Sequence, residues 1–239
     1  DPIVKRIKDY LFVETDIERA FRAKLESIAS NEIVFLCGSS GDGKSEILTR
    51  YRNQYESTIE FHLDATHSFE PKKTAIDTLN ELFSRHLTSD KALVVGINIG
   101  MLANFEREGD DAHSRVKKAI NAYLNNEKDS TEYTFLDFES FPKFQILDGE
   151  VQSEFFKTLL DKVVRDDSRN HFRDLYNECH ASGKDKKLAA NFLLLRDSRI
   201  QKVVIELLLS ARIRKDQFIT TRMLLDFIYC ILTGPGYLF

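Results

Sequence analysis

The chain reads Ile33-Val34-Phe35-Leu36-Cys37 and then Gly38-Ser39-Ser40-Gly41-Asp42-Gly43-Lys44-Ser45. The second run matches G-x-x-x-x-G-K-[ST] at every fixed position, the pattern of a phosphate-binding loop. Such a loop connects a buried strand to a helix, so that backbone N–H groups and the helix N-terminus converge on one point. The apolar run before Gly38 predicts the strand, and the spacing of Ile47, Leu48 and Tyr51 predicts the helix. Both flanks of the loop therefore have the context that phosphate binding requires.

The residue types in the loop predict the chemistry of the site. Glycines let the backbone approach phosphate oxygens and adopt positive φ, and Lys44 is expected to reach the β and γ phosphates. The Ser45 hydroxyl is expected to ligate Mg²⁺. The sequence thus predicts ATP and Mg²⁺ as cofactors, although GTP stays open. The predicted nucleotide contacts are Gly38, Ser39, Ser40, Gly41, Asp42, Gly43, Lys44, Ser45 and Glu46.

Composition narrows the class of protein. The 239 residues are 42% hydrophobic, enough for a sizeable core. The 34 basic and 38 acidic residues give a net charge of −4, which excludes a global electrostatic footprint for nucleic acid. We therefore expect any DNA contact to be local or made through a partner.

Cysteine usage and hydropathy bear on localisation. Cys37, Cys179 and Cys230 are odd in number and widely spaced, which predicts reduced thiols in a cytoplasmic protein. No apolar stretch approaches the roughly 18 residues of a membrane span and no secretory signal is present, so no membrane partner is expected. The start at Asp1-Pro2 suggests a fragment of a longer protein.

Strand and helix patterns alternate over the first part of the chain. This alternation predicts an α/β fold of the P-loop NTPase type, with a parallel sheet flanked by helices. The predicted nucleotide-binding core spans residues 1–149, including a helical lead-in over residues 3–29. Beyond the loop, strands are predicted at 58–64, 92–99 and 133–138, and helices from Pro71 and at 101–105 and 111–125. Five amphipathic patterns then predict an all-helical, lid-like C-terminal subdomain over residues 150–239.

Hydrolysis would need a carboxylate for Mg²⁺ and a group that positions water. In the favoured interpretation, Asp64 at the end of one strand is that carboxylate, and Asn98 at the tip of the next is a sensor for the γ-phosphate. In the alternative, the strand before Asp64 is only an edge strand. Asp137 or Glu139 is then the next candidate.

One feature of the sequence makes ATP turnover dependent on other groups. No glutamate follows Asp64, since Ala65 and Thr66 come next. An arginine acting on the γ-phosphate, in cis or from another subunit, is therefore expected. Arg222 is the favoured candidate because Ile219-Thr220-Thr221-Arg222 opens a helix. The other candidates are Arg196, Arg199, Arg212 and Arg214.

Three blocks carry a resemblance to a known family: residues 38–45, 61–69 (Phe-His-Leu-Asp-Ala-Thr-His-Ser-Phe) and 95–105 (Val-Gly-Ile-Asn-Ile-Gly-Met-Leu-Ala-Asn-Phe). They resemble the AAA-like ATPase subunit of bacterial DNA phosphorothioation-dependent restriction systems, the DptF/DndF family. The matching region spans about residues 33 to 140. The resemblance implies an ATPase that works with other subunits of a restriction complex, and with DNA through that complex, in defence against DNA that lacks the sulfur modification.

Three functional hypotheses remain open from the sequence. The first is an ATP-hydrolysing subunit of such a complex, active with its partners, and a homo-oligomer is also open. The second is a nucleotide-dependent protein-docking module with little or no intrinsic hydrolysis, which the missing glutamate favours. The third and least favoured is a small-molecule or nucleotide kinase, which would bring a cluster of substrate-binding arginines in a lid, whereas the arginines of the tail are dispersed.

Overall fold

The computed structural model describes residues 2–65, 73–127, 132–148, 150–215 and 219–234. The helices are α1 (Pro2–Leu11), α2 (Asp16–Ser27), α3 (Lys44–Tyr55), α4 (Ala75–His86), α5 (Ile99–Glu108), α6 (Ser114–Leu124), α7 (Glu154–Val164), α8 (His171–Ser182), α9 (Lys186–Arg196), α10 (Ser198–Lys215) and α11 (Thr221–Thr233). The strands are β1 (Ile33–Cys37), β2 (Ile59–His62), β3 (Ala92–Ile97), β4 (Tyr133–Asp137), β5 (Gln145–Leu147) and β6 (Glu150–Gln152). The chain divides into two compact units, residues 16–141 and residues 1–15 with 142–239.

Residues 16–141 form an α/β unit around a parallel sheet. Within the described ranges this sheet has four strands in the order β2-β3-β1-β4. Cys37 at the end of β1 pairs with Ile97 of β3 on one side and with Asp137 of β4 on the other. The predicted α/β class with a parallel sheet and flanking helices is therefore confirmed.

Apolar side chains on both faces of β1 explain why its sequence is continuously hydrophobic. Ile33, Phe35 and Cys37 belong to one core cluster, which includes residues of α4, α5 and α6. Val34 and Leu36 belong to a second cluster, which includes residues of α2 and α3. Successive strand residues point to opposite faces, so a strand covered on both sides reads as an unbroken apolar run.

The helix after β2 begins later than predicted. Pro71, its predicted first residue, lies outside the described residues. In the structure α4 begins at Ala75, and Thr74 caps it: the Asp77 N–H donates to the Thr74 hydroxyl at 3.1 Å and the Thr74 N–H donates to the Asp77 carboxylate at 2.9 Å. This reciprocal pair satisfies two N–H groups that a helix start leaves without partners.

The five helices predicted for the second unit are confirmed as α7 to α11. Their apolar faces share one core, in which Phe156, Leu160, Phe192 and Leu224 are almost fully buried. A short antiparallel hairpin of β5 and β6, which the sequence pattern did not predict, precedes α7. Its strands have three residues each, too few for a recognisable alternation.

The boundary between the units differs from the predicted one. The division lies after residue 141 instead of 149, and residues 1–15 belong to the second unit. Reciprocal contacts explain this: the Tyr10 hydroxyl donates to the Lys162 carbonyl at 2.8 Å, and Lys162 Nζ donates to the Tyr10 carbonyl at 2.9 Å. The lead-in is therefore two helices, of which only α2 packs in the α/β unit.

None of the helices in the described part of the chain has both the length and the apolar character to cross a bilayer.

Candidate functional site

The carboxyl ends of the four parallel strands bring the predicted site residues to one edge of the sheet. The loop follows β1, Asp64 comes two residues after β2, Asn98 follows β3, and Asp137 is the last residue of β4. In open α/β sheets, ligands bind in the crevice outside this edge. The topology therefore gathers the loop and the three polar candidates on the same side of the unit.

The loop has the backbone shape that its glycines permit. Gly41 has φ 87° and Gly43 has φ 106°, in a region that side chains disfavour. The Gly38 N–H donates to the Ile97 carbonyl at 3.2 Å, which ties the start of the loop to β3. Gly43 precedes α3 and supplies no side-chain cap, and the first N–H groups of a helix have no partner within the helix and lie at the positive end of its dipole. This end of α3 suits an anion.

Lys44 folds back over the loop. Its Nζ donates to the carbonyl of Gly38 at 2.6 Å and to the carbonyl of Ser39 at 2.7 Å. Burial lowers the pKa of Lys44, while the charges of Asp42 and Asp64 act in the opposite direction. The ammonium therefore lies in a partly desolvated position, where its attraction to a phosphate would be stronger than in open water.

Phe138 closes the loop on the side of β4. A Cβ on Gly38 would lie 2.8 Å from the Phe138 ring and 3.0 Å from Asp42 Oδ2. Only glycine fits between these two groups without displacing either. Phe138 was not among the predicted site residues, although its position directly after Asp137 at the end of a strand could have pointed to it.

The charge of Asp64 acts on Lys44 of the loop, although the strand before Asp64 lies at the edge of the sheet. β3 separates β2 from β1, as the alternative interpretation assumed. The chain after β2 stays bonded to β3, since the Ala65 N–H donates to the Gly96 carbonyl at 2.9 Å. Asp64 contributes to the electrostatic environment of Lys44. The edge position of β2 therefore does not remove Asp64 from the candidate site.

Gly96 leaves room for the close approach of this segment to β3. A Cβ there would lie 2.6 Å from the Leu63 carbonyl oxygen and 2.6 Å from Leu48 Cδ1 of α3. A glycine inside a β-branched strand often marks a close backbone approach, and this was the signal in the sequence. Gly96 thus lets both α3 and the segment before Asp64 pack against β3.

Asn98 has a structural role that its prediction as a sensor did not include. Its side-chain oxygen accepts the Met101 N–H at 2.7 Å and caps α5. The amide nitrogen is the group that would donate to a phosphate oxygen. The capping bond fixes the orientation of the side chain, and its sensor role stays a prediction.

The buried Asp137 pairs with the partly buried Tyr123 beside the loop. Its carboxylate accepts the Tyr123 hydroxyl at 2.5 Å and the Glu139 N–H at 2.9 Å, and it is 9% exposed. Burial, together with this bond, raises the pKa of Tyr123. Burial, with the Asp137 charge, also raises the pKa of the neighbouring Cys37, which therefore remains a thiol. Asp137 thus has local partners that hold it at the end of β4, whereas Glu139 is exposed.

We expect Tyr123→Phe to lower the free energy of unfolding by about 2 kcal/mol, because it leaves a buried carboxylate without one of its donors. Chemical denaturation of the two proteins measures this difference. Tyr229→Phe is the control, since Tyr229 is 45% exposed, and it should change stability by less than about 0.5 kcal/mol. Equal stability of Tyr123→Phe and the unchanged chain would show that the pair contributes nothing.

The remaining predicted residues differ in their surroundings. Ser39, Ser40 and Ser45 are exposed on the loop and at the start of α3. The Glu46 carboxylate pairs with Arg50 at 3.3 Å along α3, so its side chain has a partner within the helix. Arg222 is exposed in the first turn of α11, in the second unit. Its action on a nucleotide stays a prediction.

The donor set is compatible with Mg²⁺ held jointly with phosphates. Among the described residues, no group of three or more His, Cys, Asp or Glu side chains is arranged to hold a metal ion. Mg²⁺ commonly keeps several waters and uses one or two carboxylates together with substrate phosphates. A Ser45 hydroxyl and an Asp64 carboxylate beside the loop fit that type of coordination.

Four residues thus define the candidate site. Gly41 and Gly43 have positive φ, Gly38 lies closely packed against Phe138 and Asp42, and Lys44 donates to loop carbonyls. Comparisons of the chain with protein-family models, with curated proteins and with solved structures give no match.

Proposed function

We propose that this chain binds ATP with Mg²⁺ at the loop of residues 38–45 and hydrolyses it as a subunit of a DNA phosphorothioation-dependent restriction complex. The contact of Lys44 with the carbonyls of Gly38 and Ser39 carries the nucleotide-binding part of this proposal. It holds an ammonium over a loop whose N–H groups and helix N-terminus favour an anion. The proposed P-loop NTPase fold rests on the same loop and on the parallel sheet behind it.

Each residue of the site has a proposed task. Backbone N–H groups of the loop bind the phosphates, and Lys44 neutralises charge on the β and γ phosphates. Ser45 and Asp64 hold the metal ion, which supplies further charge neutralisation at the phosphates when it is bound. Asn98 orients the γ-phosphate through its amide nitrogen, and Arg222 or another arginine stabilises the transition state.

The assignment to a restriction complex rests on the resemblance of the three sequence blocks. Two of them lie in the described residues, and the block 61–69 is described only up to residue 65. The net charge of −4 supports contact with DNA through partner subunits instead of by the chain as a whole. Cytoplasmic localisation, the partner subunits and a homo-oligomer belong to the same proposal.

Asp64→Asn tests the hydrolytic part of the proposal. The variant keeps the size of the side chain but removes the charge that would face the metal ion, so phosphate release should fall at least about tenfold while ATP binding remains. Phosphate release is measured for the chain alone and with the other subunits and DNA. Undiminished turnover would move the metal-binding role to Asp137 or Glu139, and Asp137→Asn is then the comparison.

A docking module with negligible turnover is the second candidate. Ala65 occupies the position after Asp64, and the side-chain oxygen of Asn98 is committed to capping α5. A group that activates water is therefore not evident at either position. In this case, binding of the partner subunit would be the same with ATP and with a non-hydrolysable analogue, and weaker without nucleotide. Equal partner binding with and without nucleotide would exclude it.

A further inference from the structure

The peptide unit between Gly38 and Ser39 lies between two opposite charges. Its carbonyl, that of Gly38, accepts a hydrogen bond from Lys44 Nζ at 2.6 Å. Its N–H, that of Ser39, donates to Asp42 Oδ2 at 2.7 Å. One peptide unit therefore connects the ammonium of Lys44 to the carboxylate of Asp42.

Bonds of this kind strengthen one another. Hydrogen bonds to an ionised group are shorter and stronger than neutral ones, and bonds in a chain polarise each other. A carboxylate on the N–H of a peptide increases the negative charge on its carbonyl oxygen. The Gly38 carbonyl is for this reason a better acceptor for Lys44 with Asp42 in place than without it.

The Asp42 carboxylate lies close to Gly38 as well as to the Ser39 N–H. Asp42 Oδ2 lies 3.0 Å from where a Cβ of Gly38 would be, and the Phe138 ring lies on the same glycine. The glycines on either side of Asp42, Gly41 and Gly43, have positive φ and turn the chain so that the carboxylate comes back to Ser39. The phosphate-binding pattern itself accepts any residue at this position. The aspartate is thus a property of this chain and not a requirement of the motif.

We propose that Asp42 is a positioning residue for Lys44. Its carboxylate orients the Gly38–Ser39 peptide unit, and the carbonyl of that unit holds the ammonium where the phosphates bind. This inference rests on the proposed binding of ATP. Asp42 acts through the peptide unit and needs no contact with the nucleotide.

Three variants of Asp42 distinguish the effect of the acceptor's position from the effect of its charge. Asp42→Ala removes the acceptor, Asp42→Asn keeps an oxygen at the same distance without the charge, and Asp42→Glu keeps the charge on a longer side chain. Asp110→Ala is the matched control, because the Asp110 carboxylate accepts the Ala112 N–H at 2.8 Å in the same unit. The first measurement is the affinity for ATP with Mg²⁺. The second is hydrogen exchange of the Ser39 amide in the nucleotide-free protein.

We expect Asp42→Ala to bind ATP roughly tenfold more weakly, the effect of losing about one charge-assisted hydrogen bond. The Ser39 amide should also exchange faster in this variant. Asp42→Asn keeps the acceptor oxygen but loses the charge that strengthens the bond, so its affinity should lie between those of Asp42→Ala and the unchanged chain, and it should keep part of the protection of Ser39. Asp42→Glu should lose affinity despite its charge, and Asp110→Ala should bind normally.

Two results would overturn the proposal. One is an unchanged affinity in Asp42→Ala. The other is normal affinity in Asp42→Glu together with an Asp42→Asn as weak as Asp42→Ala, which would assign the effect to charge alone. If the unchanged chain binds no ATP, the proposed function fails. The exchange of the Ser39 amide then still decides whether Asp42 holds the peptide unit, and unaltered exchange in Asp42→Ala rejects that too.

Discussion

Lys44→Ala should weaken the binding of ATP with Mg²⁺ by roughly 100-fold. The variant removes an ammonium held at 2.6 Å and 2.7 Å from two loop carbonyls, in the position from which it would reach the phosphates. Hydrogen bonds to charged groups contribute up to about 3 kcal/mol, which corresponds to this loss of affinity. Thermal unfolding with increasing ATP measures the effect, because a ligand that binds only the folded state raises the midpoint. We expect the midpoint of the unchanged chain to rise and that of the variant to stay constant at the same ATP concentrations.

Lys91→Ala is the matched control for this experiment. Lys91 Nζ also donates to a backbone carbonyl, that of Glu56 at 2.7 Å, but Lys91 precedes β3 at the opposite end from the loop. Its variant should retain the ATP-dependent rise of the midpoint. An equal rise in Lys44→Ala and the unchanged chain would mean that Lys44 does not contact the nucleotide.

Gly96→Val should lower the free energy of unfolding by about 3 kcal/mol. A Cβ at this position would lie 2.6 Å from both Leu48 Cδ1 and the Leu63 carbonyl oxygen, and valine adds two methyl groups to it. The backbone of Leu63 cannot withdraw without straining the bond from the Ala65 N–H to the Gly96 carbonyl. Because α3 and the segment before Asp64 both have to move, affinity for ATP should fall as well. Chemical denaturation measures the first effect and nucleotide titration the second.

Gly100→Ala is the comparison for Gly96→Val. Its Cβ would have its nearest neighbour at 3.4 Å, the Asn98 side-chain oxygen, and the residue lies in the first turn of α5. Alanine in a helix is more favourable than glycine by up to about 1 kcal/mol, so this variant should be as stable as the unchanged chain or more so. A Gly96→Val protein of unaltered stability would contradict the close packing described at β3.

The loop, β1 and β3 could be predicted from the sequence because their signals are local. The motif at residues 38–45 fixes its own glycines and lysine, and strands buried on both faces have continuous apolar sequences. The five helices of the second unit could also be predicted, from the periodicity of their apolar residues. In each case the residues that specify the element lie within it.

The order of the strands could not be predicted in the same way. The position of β2 beside β3, and not beside β1, depends on contacts between distant residues. The sequence therefore left two interpretations of Asp64 open. The structure combines parts of both, since β2 is an edge strand and Asp64 still influences Lys44. The glycine at position 96 was the local sign of the close approach between β3 and the segment after β2.

The partners of individual side chains also could not be predicted from the sequence. Periodicity showed that α1 has an apolar face, but not that residues 1–15 pack with α7 through Tyr10 and Lys162. The bond between Tyr123 and Asp137 joins residues from α6 and β4. The capping of α5 by Asn98 follows a common preference for asparagine at this position, yet the same residue was interpreted only as a sensor.

Calorimetric titration of this chain with ATP and Mg²⁺ tests the central claim, that residues 38–45 bind the phosphates of a nucleotide. We predict saturable binding of one ATP per chain, competition by ADP, and no competition by adenosine, because the loop contacts phosphates and not the base. Absence of binding, or equal competition by adenosine and ADP, would contradict the account.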